Sequence, residues 1–330
     1  MKRVMLLALL AACVSLPAFG GVSATPYVDC QIYYDNPLSG AAFDWKRDNG
    51  WRNVAIESII DFHRNPTNIG RLQDGSDGAA WATLTTSAPV QIGTVIVVQE
   101  VWPGFDGSMP YQLRLGGNGA ATAWNDITPL ESPGTLGECT MSVYTLDSVG
   151  EYNALRLDVA SAGYGGAEYI DIANVIVLPG RLEKITDVSY TTSNANTQSG
   201  NGLVLTNEAA GAYWYTNGPA TIAFTFAPGQ QVDAIIIWSL YNGSAEFTIR
   251  VGEGAEAMDL ADVAMIYDGG NLGWILPITF DQSIGAETIY FDFKQDAYNG
   301  LQKVMFLTAV PEPATMSLLA LGGLALLRRR

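Results

Sequence analysis

The chain has 330 residues, with 33 acidic against 17 basic side chains and a formal net charge of −16. This balance argues against nucleic acid or an anionic lipid surface as a partner, because neutralising phosphates requires clustered lysine and arginine. A single histidine and three cysteines leave little material for a zinc site or a histidine-activated nucleophile. The composition favours a non-enzymatic protein, although the acidic residues could include a carboxylate pair that hydrolyses polysaccharide.

The N-terminal residues predict a signal peptide over residues 1–24. Two basic residues precede an apolar segment from Val4 to Leu16, and small residues follow at two candidate cleavage sites, 17–20 and 22–24. A signal of this kind predicts an exported protein, so these residues are excluded from the expected fold.

The three cysteines each admit two interpretations. Cys13 follows Leu-Ala-Ala, which resembles a lipobox and would make it a lipidated N-terminus; otherwise it belongs to the apolar part of the signal. Cys30 and Cys139 remain after signal cleavage in an oxidising compartment. They either form a disulfide or stay as two free buried thiols, and their spacing does not decide between these outcomes.

Short runs of β-branched and aromatic residues, separated by Gly, Pro, Asn and Asp, fill the rest of the chain. The clearest runs are 95–101, 111–115, 154–159, 174–178, 221–226, 234–238, 247–251, 288–293 and 304–307. Each has the length of a strand, and no helical periodicity competes with them. Together with 35 glycines, they predict an all-β chain built from antiparallel β-sandwiches.

The two halves of the chain repeat one pattern at a nearly constant offset. The aligned segments are Leu113–Gly116 with Ile249–Gly252, Leu155–Val159 with Ile289–Phe293, and the segment ending at Trp81 with the one ending at Trp214. A constant offset over consecutive elements predicts two related domains in tandem. We place the first domain at residues 25–180 and the second at residues 181–309.

The motifs of the first half also resemble a known family. Leu-x-Asp-Gly-x-x-Gly-Ala-x-Trp begins at Leu72, a Tyr-x-Leu-x-Leu strand begins at Tyr111, and Arg-Leu-Asp-Val begins at Arg156. This order resembles the discoidin or coagulation-factor type C group of galactose-binding-like jelly rolls. The likeness covers most of residues 70–180 and, more weakly, 203–307, and it implies two tandem jelly-roll domains.

The resemblance also implies a calcium site in the first domain. In related jelly rolls, the loop that contains Asp74 and Asp77 and an acidic residue of the last strand often hold a structural Ca²⁺, and Asn174 takes that last-strand position here. The second domain has Asn207 and Lys303 at the corresponding positions, and the lysine would repel the ion. The alternative is a simple turn held by Asx hydrogen bonds.

The loops at one end of each sandwich are the predicted place for a ligand. Trp102, Phe105 and Asp106 lie in a loop between two predicted strands, and Tyr241 and Asn242 lie in the corresponding loop of the second domain. Sugars stack their C–H faces on aromatic rings while polar side chains bind the hydroxyls. The composition predicts a glycan site, and the scarcity of basic residues favours a neutral glycan.

The chain ends in a proline-containing break, an apolar run over 314–327 and a basic cluster. The break is Val310, Pro311, Glu312 and Pro313, and the cluster is Arg328, Arg329 and Arg330. These three parts, in this order, resemble the PEP-CTERM sorting tail of exported bacterial proteins. The resemblance implies a membrane-anchored precursor whose short transmembrane helix is lost when an exosortase cleaves near residues 311–313.

These patterns predict an exported protein of the cell surface or extracellular matrix. Its expected partners are the secretion machinery, an exosortase and an extracellular glycan or exopolysaccharide, with membrane contact only through the transient C-terminal helix. Two alternatives stay open: a purely structural surface or biofilm protein without a soluble ligand, and an exported enzyme that degrades polysaccharide.

Overall fold

The computed structural model describes the chain in sixteen segments. They are residues 21–46, 59–64, 70–73, 79–100, 111–116, 124–127, 139–160, 169–193, 196–197, 205–206, 214–239, 244–252, 257–266, 273–285, 287–294 and 298–311. Within these segments no helix is long and apolar enough to cross a membrane. The predicted apolar run over 314–327 lies outside them, as do residues 1–20 of the predicted signal peptide.

The described residues form 21 strands. These are β1 (Gly21–Pro26), β2 (Cys30–Ile32), β3 (Ala42–Lys46), β4 (His63–Arg64), β5 (Gly70–Gln73), β6 (Ala79–Glu100), β7 (Tyr111–Gly116), β8 (Trp124–Asp126), β9 (Cys139–Ala160), β10 (Tyr169–Leu178), β11 (Leu182–Lys184), β12 (Ser189–Thr192), β13 (Asn196–Thr197), β14 (Trp214–Asn217), β15 (Ala220–Thr225), β16 (Gln231–Ser239), β17 (Ala245–Val251), β18 (Met258–Ile266), β19 (Gly273–Gly285), β20 (Thr288–Phe293) and β21 (Tyr298–Ala309). Their pairing is antiparallel throughout, which confirms the all-β antiparallel prediction.

The strands form three sheets. Sheet I has the order β5-β10-β6-β9-β7-β8, with β3 also paired to β6. Sheet II has the order β13-β14-β21-β16-β19-β2, with β11 on β21 and β4 on β19. Sheet III has the order β1-β18-β17-β20-β15-β12.

Sheet I folds over itself to make the first sandwich. Strands β6 and β9 have 22 residues each and pair along their whole length, with register shifts between Thr85 and Val90 and between Ile92 and Thr94. Leu84 below the shifts and Val95 above them belong to one buried cluster, so the strand pair bends and its two halves enclose a common core. We call the half formed by residues 79–85 and 154–160 the lower half of sheet I, and the half formed by residues 94–100 and 139–145 the upper half.

Gly93 lies at the bend, against the backbone of Gly180. A Cβ atom at this position would lie 2.6 Å from the carbonyl carbon of Gly180, a distance that side-chain carbons do not adopt. Glycine is therefore required where the bend of the first sandwich meets the segment that leads to the second.

Sheets II and III enclose the core of the second sandwich. Phe224 of sheet III is the centre of an aromatic cluster, with its ring centroid 5.0 Å from that of Phe291 and 4.9 Å from that of Phe306. Phe247 stacks on Phe291 at 4.6 Å. Edge-to-face and stacked rings at these distances add to the hydrophobic stabilisation of the core.

The two sandwiches share a third core, formed between the upper half of sheet I and sheet II. Along β6, Val95 and Val97 face the core of the first sandwich, whereas Ile96 and Val98 face the shared core. Strand β16 alternates in the same way, because Ile237 packs inside the second sandwich and Ile236 inside the shared core. The continuous apolar runs of the sequence are therefore strands buried on both faces.

The strand order confirms most of the internal repeat. The β10-β6-β9 order of sheet I matches the β21-β16-β19 order of sheet II, and β7 beside β9 matches β17 beside β20. Asn174 lies opposite Val98, and Lys303 lies opposite Trp238, so these two last-strand residues are equivalent as predicted.

The predicted equivalence of Trp81 and Trp214 is wrong. Trp81 lies on β6 opposite Asp158 of β9, whereas Trp214 lies on β14 opposite Leu301 of β21. The residue that takes the place of Trp81 in the second sandwich is Thr221, opposite Asp292. The structural offset at this strand is 140 residues, from Trp81 to Thr221 and from Val98 to Trp238, whereas the match in sequence spacing had used an offset of 133.

The first described residues belong to the second sandwich, not to a first domain over 25–180. Strand β1 pairs with β18 at the edge of sheet III, and β2 pairs with β19 at the edge of sheet II. Strand β1 also includes residues 21–24, which the sequence assigned to the signal peptide. From β3 onward, the boundary near residues 179–180 separates the strands of sheet I from those of the other two sheets, except that β4 pairs with β19.

Candidate functional site

A row of threonines and aspartates crosses the outer face of sheet III. Its members stand opposite one another on five neighbouring strands, in the order Thr25, Asp262, Thr248, Asp292 and Thr221. Residues on either side of them in the chain, such as Ile222, Ile249 and Val263, face the sandwich core. Because side chains alternate along a strand, the row points outward.

Asp262 is the centre of a hydrogen-bond network in this row. Its carboxylate accepts hydrogen bonds from the hydroxyl groups of Tyr27, at 2.5 Å, and of Thr248. These bonds, with Thr248 contributing most, hold the pKa of Asp262 below its usual range, and the bond to Asp262 raises the pKa of Tyr27. Asp262 is therefore a fixed, ionised hydrogen-bond acceptor on an exposed sheet face.

A cleft of about 310 Å³ lies beside this carboxylate, between β1, β17 and β18. Its polar lining is Ser23, Thr25, Glu246, Thr248, Asp262 and Lys294. The ammonium group of Lys294 is 4.0 Å from Asp262, and its side chain is 69% exposed. Tyr27, which is 55% exposed, presents its ring next to the network. The cleft thus combines a carboxylate acceptor, an ammonium donor and hydroxyl groups, and Tyr27 is joined to it through its hydrogen bond to Asp262.

The row continues with an ion pair at Asp292. Arg250 donates from Nε to Asp292 at 2.5 Å, and Thr221 donates to the other carboxylate oxygen at 2.8 Å. The guanidinium of Arg250 lies 5.4 Å from the ring centre of Tyr290. A cation over an aromatic ring is attracted by its negative face, and this contact adds to the ion pair that holds Arg250 of β17 against β20.

The first sandwich carries a related cluster on the outer face of the lower half of sheet I. Arg114 and Asp158 occupy the positions of Arg250 and Asp292 and form an ion pair at 3.6 Å. Arg156 binds Asp158 at 2.8 Å and lies over the ring of Trp81 at 4.6 Å. Both sandwiches therefore present an arginine, an aspartate and an aromatic ring on their outer sheets.

The predicted loop sites lie outside the described residues. This holds for Trp102, Phe105 and Asp106 in the first domain and for Tyr241 and Asn242 in the second. The Asp262 cleft was missed because its residues come from three distant parts of the sequence. The repeat did contain a partial signal, since the aligned Arg114 and Arg250 mark the equivalent outer strands.

For the predicted calcium site, only Asn174 is described, and Asp74 and Asp77 lie outside the described residues. Asn174 is fully buried and donates from Nδ2 to the carbonyl oxygen of Asp61 at 2.8 Å. Its Oδ1 atom is buried without a hydrogen-bond partner in the described part of the chain, which suits a cation ligand. No group of three acidic, histidine or cysteine side chains that could hold a metal occurs within the described residues.

Of the two outcomes left open for the cysteines, the structure has the free thiol at Cys30, which is partly buried on β2. Burial raises the pKa of this thiol, and the neighbouring carboxylates of Asp281 and Asp29 raise it further. The disulfide to Cys139 is therefore not formed in this structure. The two residues are on strands of different sheets, and the side chain of Cys139 lies outside the described set.

The beginning of the predicted sorting motif is held at the junction of the two sandwiches. Strand β11 pairs with the end of β21, which places Leu182 opposite Ala309. Arg181 donates from Nη1 to the carbonyl oxygens of Val310, at 3.4 Å, and Pro311, at 2.8 Å. The remaining motif residues, Glu312, Pro313, Arg328, Arg329 and Arg330, lie outside the described residues.

Several solved structures resemble this fold. A fucolectin from striped bass (Morone saxatilis) serum has 11% identity and a TM-score of 0.35, covering 84% of this chain and 99% of its own. The tandem CBM32-1 and CBM32-2 domains of Clostridium perfringens ZmpB, solved with GalNAc, have 8% identity and a TM-score of 0.32, covering 88% of this chain and 98% of their own. A chitosan-binding module from a Paenibacillus chitosanase/glucanase has 13% identity and a TM-score of 0.34, covering 43% of this chain and 98% of its own.

No curated protein matches the chain in a sequence comparison. The family model that matches describes the PEP-CTERM protein-sorting motif and covers residues 309–330. The tail predicted from the sequence is thereby confirmed, and a motif of this kind indicates an exported, cell-surface-sorted protein.

Proposed function

We propose that this protein is a non-enzymatic glycan-binding protein of the cell surface or extracellular matrix, delivered there by exosortase processing of its tail. The Asp262 cleft is the proposed ligand site. The observation that carries the proposal is a cleft of about 310 Å³ lined by an ionised carboxylate and an ammonium group, with the exposed Tyr27 hydrogen-bonded to that carboxylate.

This combination suits the chemistry of a sugar. A hydroxyl group both donates and accepts, so neighbouring hydroxyls can bind the Asp262 carboxylate and the Lys294 ammonium together. The exposed ring of Tyr27 offers an apolar surface to the C–H face of a sugar ring. The cleft volume is at the lower end of the range for ligand pockets, which fits one or two sugar units of a longer chain.

The charge of the cleft favours a neutral glycan. Its lining contains the carboxylates Glu246 and Asp262 against the single cation Lys294. A uronate or sulfated polymer would meet net repulsion there, whereas the hydroxyls of a neutral polymer need only hydrogen bonds. An extracellular neutral polysaccharide is therefore the proposed partner.

The state of Asp262 supports binding over hydrolysis. A glycoside hydrolase needs a carboxyl group that is protonated at working pH, which requires a raised pKa. The hydroxyl groups of Thr248 and Tyr27 instead lower the pKa of Asp262, so this residue is a poor general acid. Loss of polymer viscosity during incubation with the protein would nevertheless revive the polysaccharide-degrading alternative.

The test is retention on immobilised neutral polysaccharides, such as galactan, glucan and the exopolysaccharide of the producing cells. Tyr27→Ala removes the ring and Asp262→Asn weakens the acceptor, and each should lower affinity about tenfold, as expected when a central contact of a binding site is lost. Thr191→Ala is the matched control, because Thr191 is exposed on β12 at the opposite edge of the same sheet.

Three outcomes are distinguishable. Weaker binding by both cleft variants with normal binding by the control supports the cleft as the site. Unchanged binding by all variants would refute the cleft and return attention to the loops around Trp102 and Tyr241. Absence of binding by the unmodified protein to every polysaccharide tested would favour a purely structural surface protein.

A further inference from the structure

Arg181 binds the beginning of the sorting tail through both its main chain and its side chain. Its main-chain carbonyl accepts a hydrogen bond from the amide of Val310 at 2.8 Å. Its guanidinium donates to the carbonyl oxygens of Val310 and Pro311 and, from Nε, to the carbonyl oxygen of Leu146 at 2.7 Å. One residue thus connects the tail to β9 of the first sandwich.

The tail is bound from a second side by Asp233. One carboxylate oxygen of Asp233 accepts a hydrogen bond from the amide of Ala309 at 2.7 Å. The backbone amide groups of Ala309 and Val310 and the carbonyls of Val310 and Pro311 are therefore all engaged. We call residues 309–311 the stem, since they begin at the last residue of β21 and precede the rest of the motif.

The segment that holds the stem is itself fixed. The hydroxyl of Thr94 donates to the carbonyl oxygen of Gly180 at 2.8 Å and accepts from the amide of Leu182 at 2.7 Å. The hydroxyl of Thr145 donates to the carbonyl oxygen of Leu182. Because both neighbours of Arg181 are bound to the first sandwich, Arg181 cannot simply follow the stem when it moves.

From this geometry we propose that Arg181 is a positioning residue for processing of the tail, and that it directs cleavage to the C-terminal side of Glu312. A processing enzyme binds an extended peptide through its main-chain amide and carbonyl groups. Those groups are occupied in the stem up to the carbonyl of Pro311, which belongs to the Pro311–Glu312 peptide bond. The first peptide bond beyond the clamp is Glu312–Pro313.

The bond that breaks is a single peptide C–N bond. Water adds to the carbonyl carbon, the new carboxylate stays with the folded body, and the departing amine takes a proton and leaves with the apolar segment. Cleavage beyond Glu312 leaves all of β21 and the stem in the mature protein. The new terminus then comes one residue after the stem in the chain.

This inference rests on processing of the tail and is independent of glycan binding, so either can fail without the other. The experiment uses the full-length chain expressed in a host with its exosortase. Trypsin cleaves after Lys303, so mass spectrometry of the peptide that begins at Val304 identifies the mature C-terminal residue. We expect Glu312 or a later residue, and a terminus at Pro311 or earlier would overturn the proposal.

Variants of Arg181 test its role directly. Arg181→Gln removes the charged fork, and termini at or before Pro311 should then rise about tenfold in abundance, as loss of charge-assisted hydrogen bonds predicts. Arg181→Lys keeps the charge but not the fork, and it should give an intermediate result. Glu183→Gln is the control, since Glu183 is an exposed charged residue on β11, two positions after Arg181.

Hydrogen exchange separates positioning from general destabilisation. In Arg181→Gln, the amide of Val310 should exchange about tenfold faster than in the unmodified protein, while amides of β16 and β20 keep their rates. Identical termini and an unchanged Val310 exchange rate in this variant would contradict the proposed clamp. Faster exchange throughout the protein would assign Arg181 a purely structural role and would also overturn it.

Discussion

Replacing Ile236 by Ala should loosen the first sandwich, although the residue belongs to the second. Ile236 lies in the shared core and lines a cavity of only about 10 Å³ together with Ile96 and Ile176 of the first sandwich. The next residue, Ile237, is equally suitable for truncation but faces the core of the second sandwich alone. The two substitutions are chemically identical and adjacent, so they form a matched pair.

The expected cost of each substitution is about 3 kcal/mol. Truncating a buried isoleucine to alanine typically costs about 2–5 kcal/mol, because lost transfer free energy adds to the cavity left behind. The existing cavity is small, so the side chains around Ile236 are already closely packed. For Ile236, this loss falls on the contact between the sandwiches, and for Ile237 it falls within one sandwich.

Hydrogen exchange measured by mass spectrometry distinguishes these cases. In Ile236→Ala, peptides from β6 and β10 should exchange about a hundredfold faster, since 3 kcal/mol corresponds to about two orders of magnitude. In Ile237→Ala, those peptides should stay within about threefold of the unmodified protein, while β16 and β20 exchange faster. Equal effects of both variants on β6 and β10 would refute the assignment of alternate faces.

Three further predictions concern single sites. If Asn174 contributes to a calcium site, excess Ca²⁺ should raise the melting temperature of the protein above its value in chelator. The substitution Asn174→Ala should abolish this difference. An unchanged melting temperature in the unmodified protein would contradict the calcium site. Cys30 should resist alkylation in the folded protein and react fully after unfolding without reductant, because it is a partly buried free thiol with a raised pKa; a requirement for reductant would restore the disulfide. Because the pKa of Asp262 is lowered in the folded protein, the stability that its carboxylate contributes to the fold should be complete above the reference pKa of 3.8. This stability should be lost as pH falls through the folded pKa. Glycan retention should follow this pH dependence in the unmodified protein but not in Asp262→Asn.

The N-terminal strand sharpens the expected signal cleavage. Strand β1 uses all of Gly21–Pro26, and its residues Ser23 and Thr25 line the cleft. Cleavage at the 17–20 site keeps Ser23 and Thr25 in the lining of the cleft, whereas cleavage after residue 24 removes most of β1. We therefore expect mature chains to begin at Gly21, and N-terminal mass spectrometry that finds Thr25 as the first residue would contradict this choice.

The sequence alone predicted the strands, their antiparallel arrangement and the repeat. Period-two alternation and turn residues are local signals, so they can be recognised without knowing which strands pair with each other. The sorting tail was equally readable, because its parts are contiguous and lie at the end of the chain. The aligned Arg114 and Arg250 also proved equivalent, since each lies in an outer strand beside its aspartate.

The tertiary structure decided which strands became neighbours. Alternation shows that Asp262 and Thr248 face away from a core, but not that Tyr27, more than two hundred positions earlier, reaches the same carboxylate. The runs at 95–98 and 234–238 indicated buried strands, but only the packing of the sheets showed that their second faces meet each other. Strand pairing and sheet packing depend on contacts between residues that are distant in sequence, and local sequence patterns do not indicate which of these contacts form.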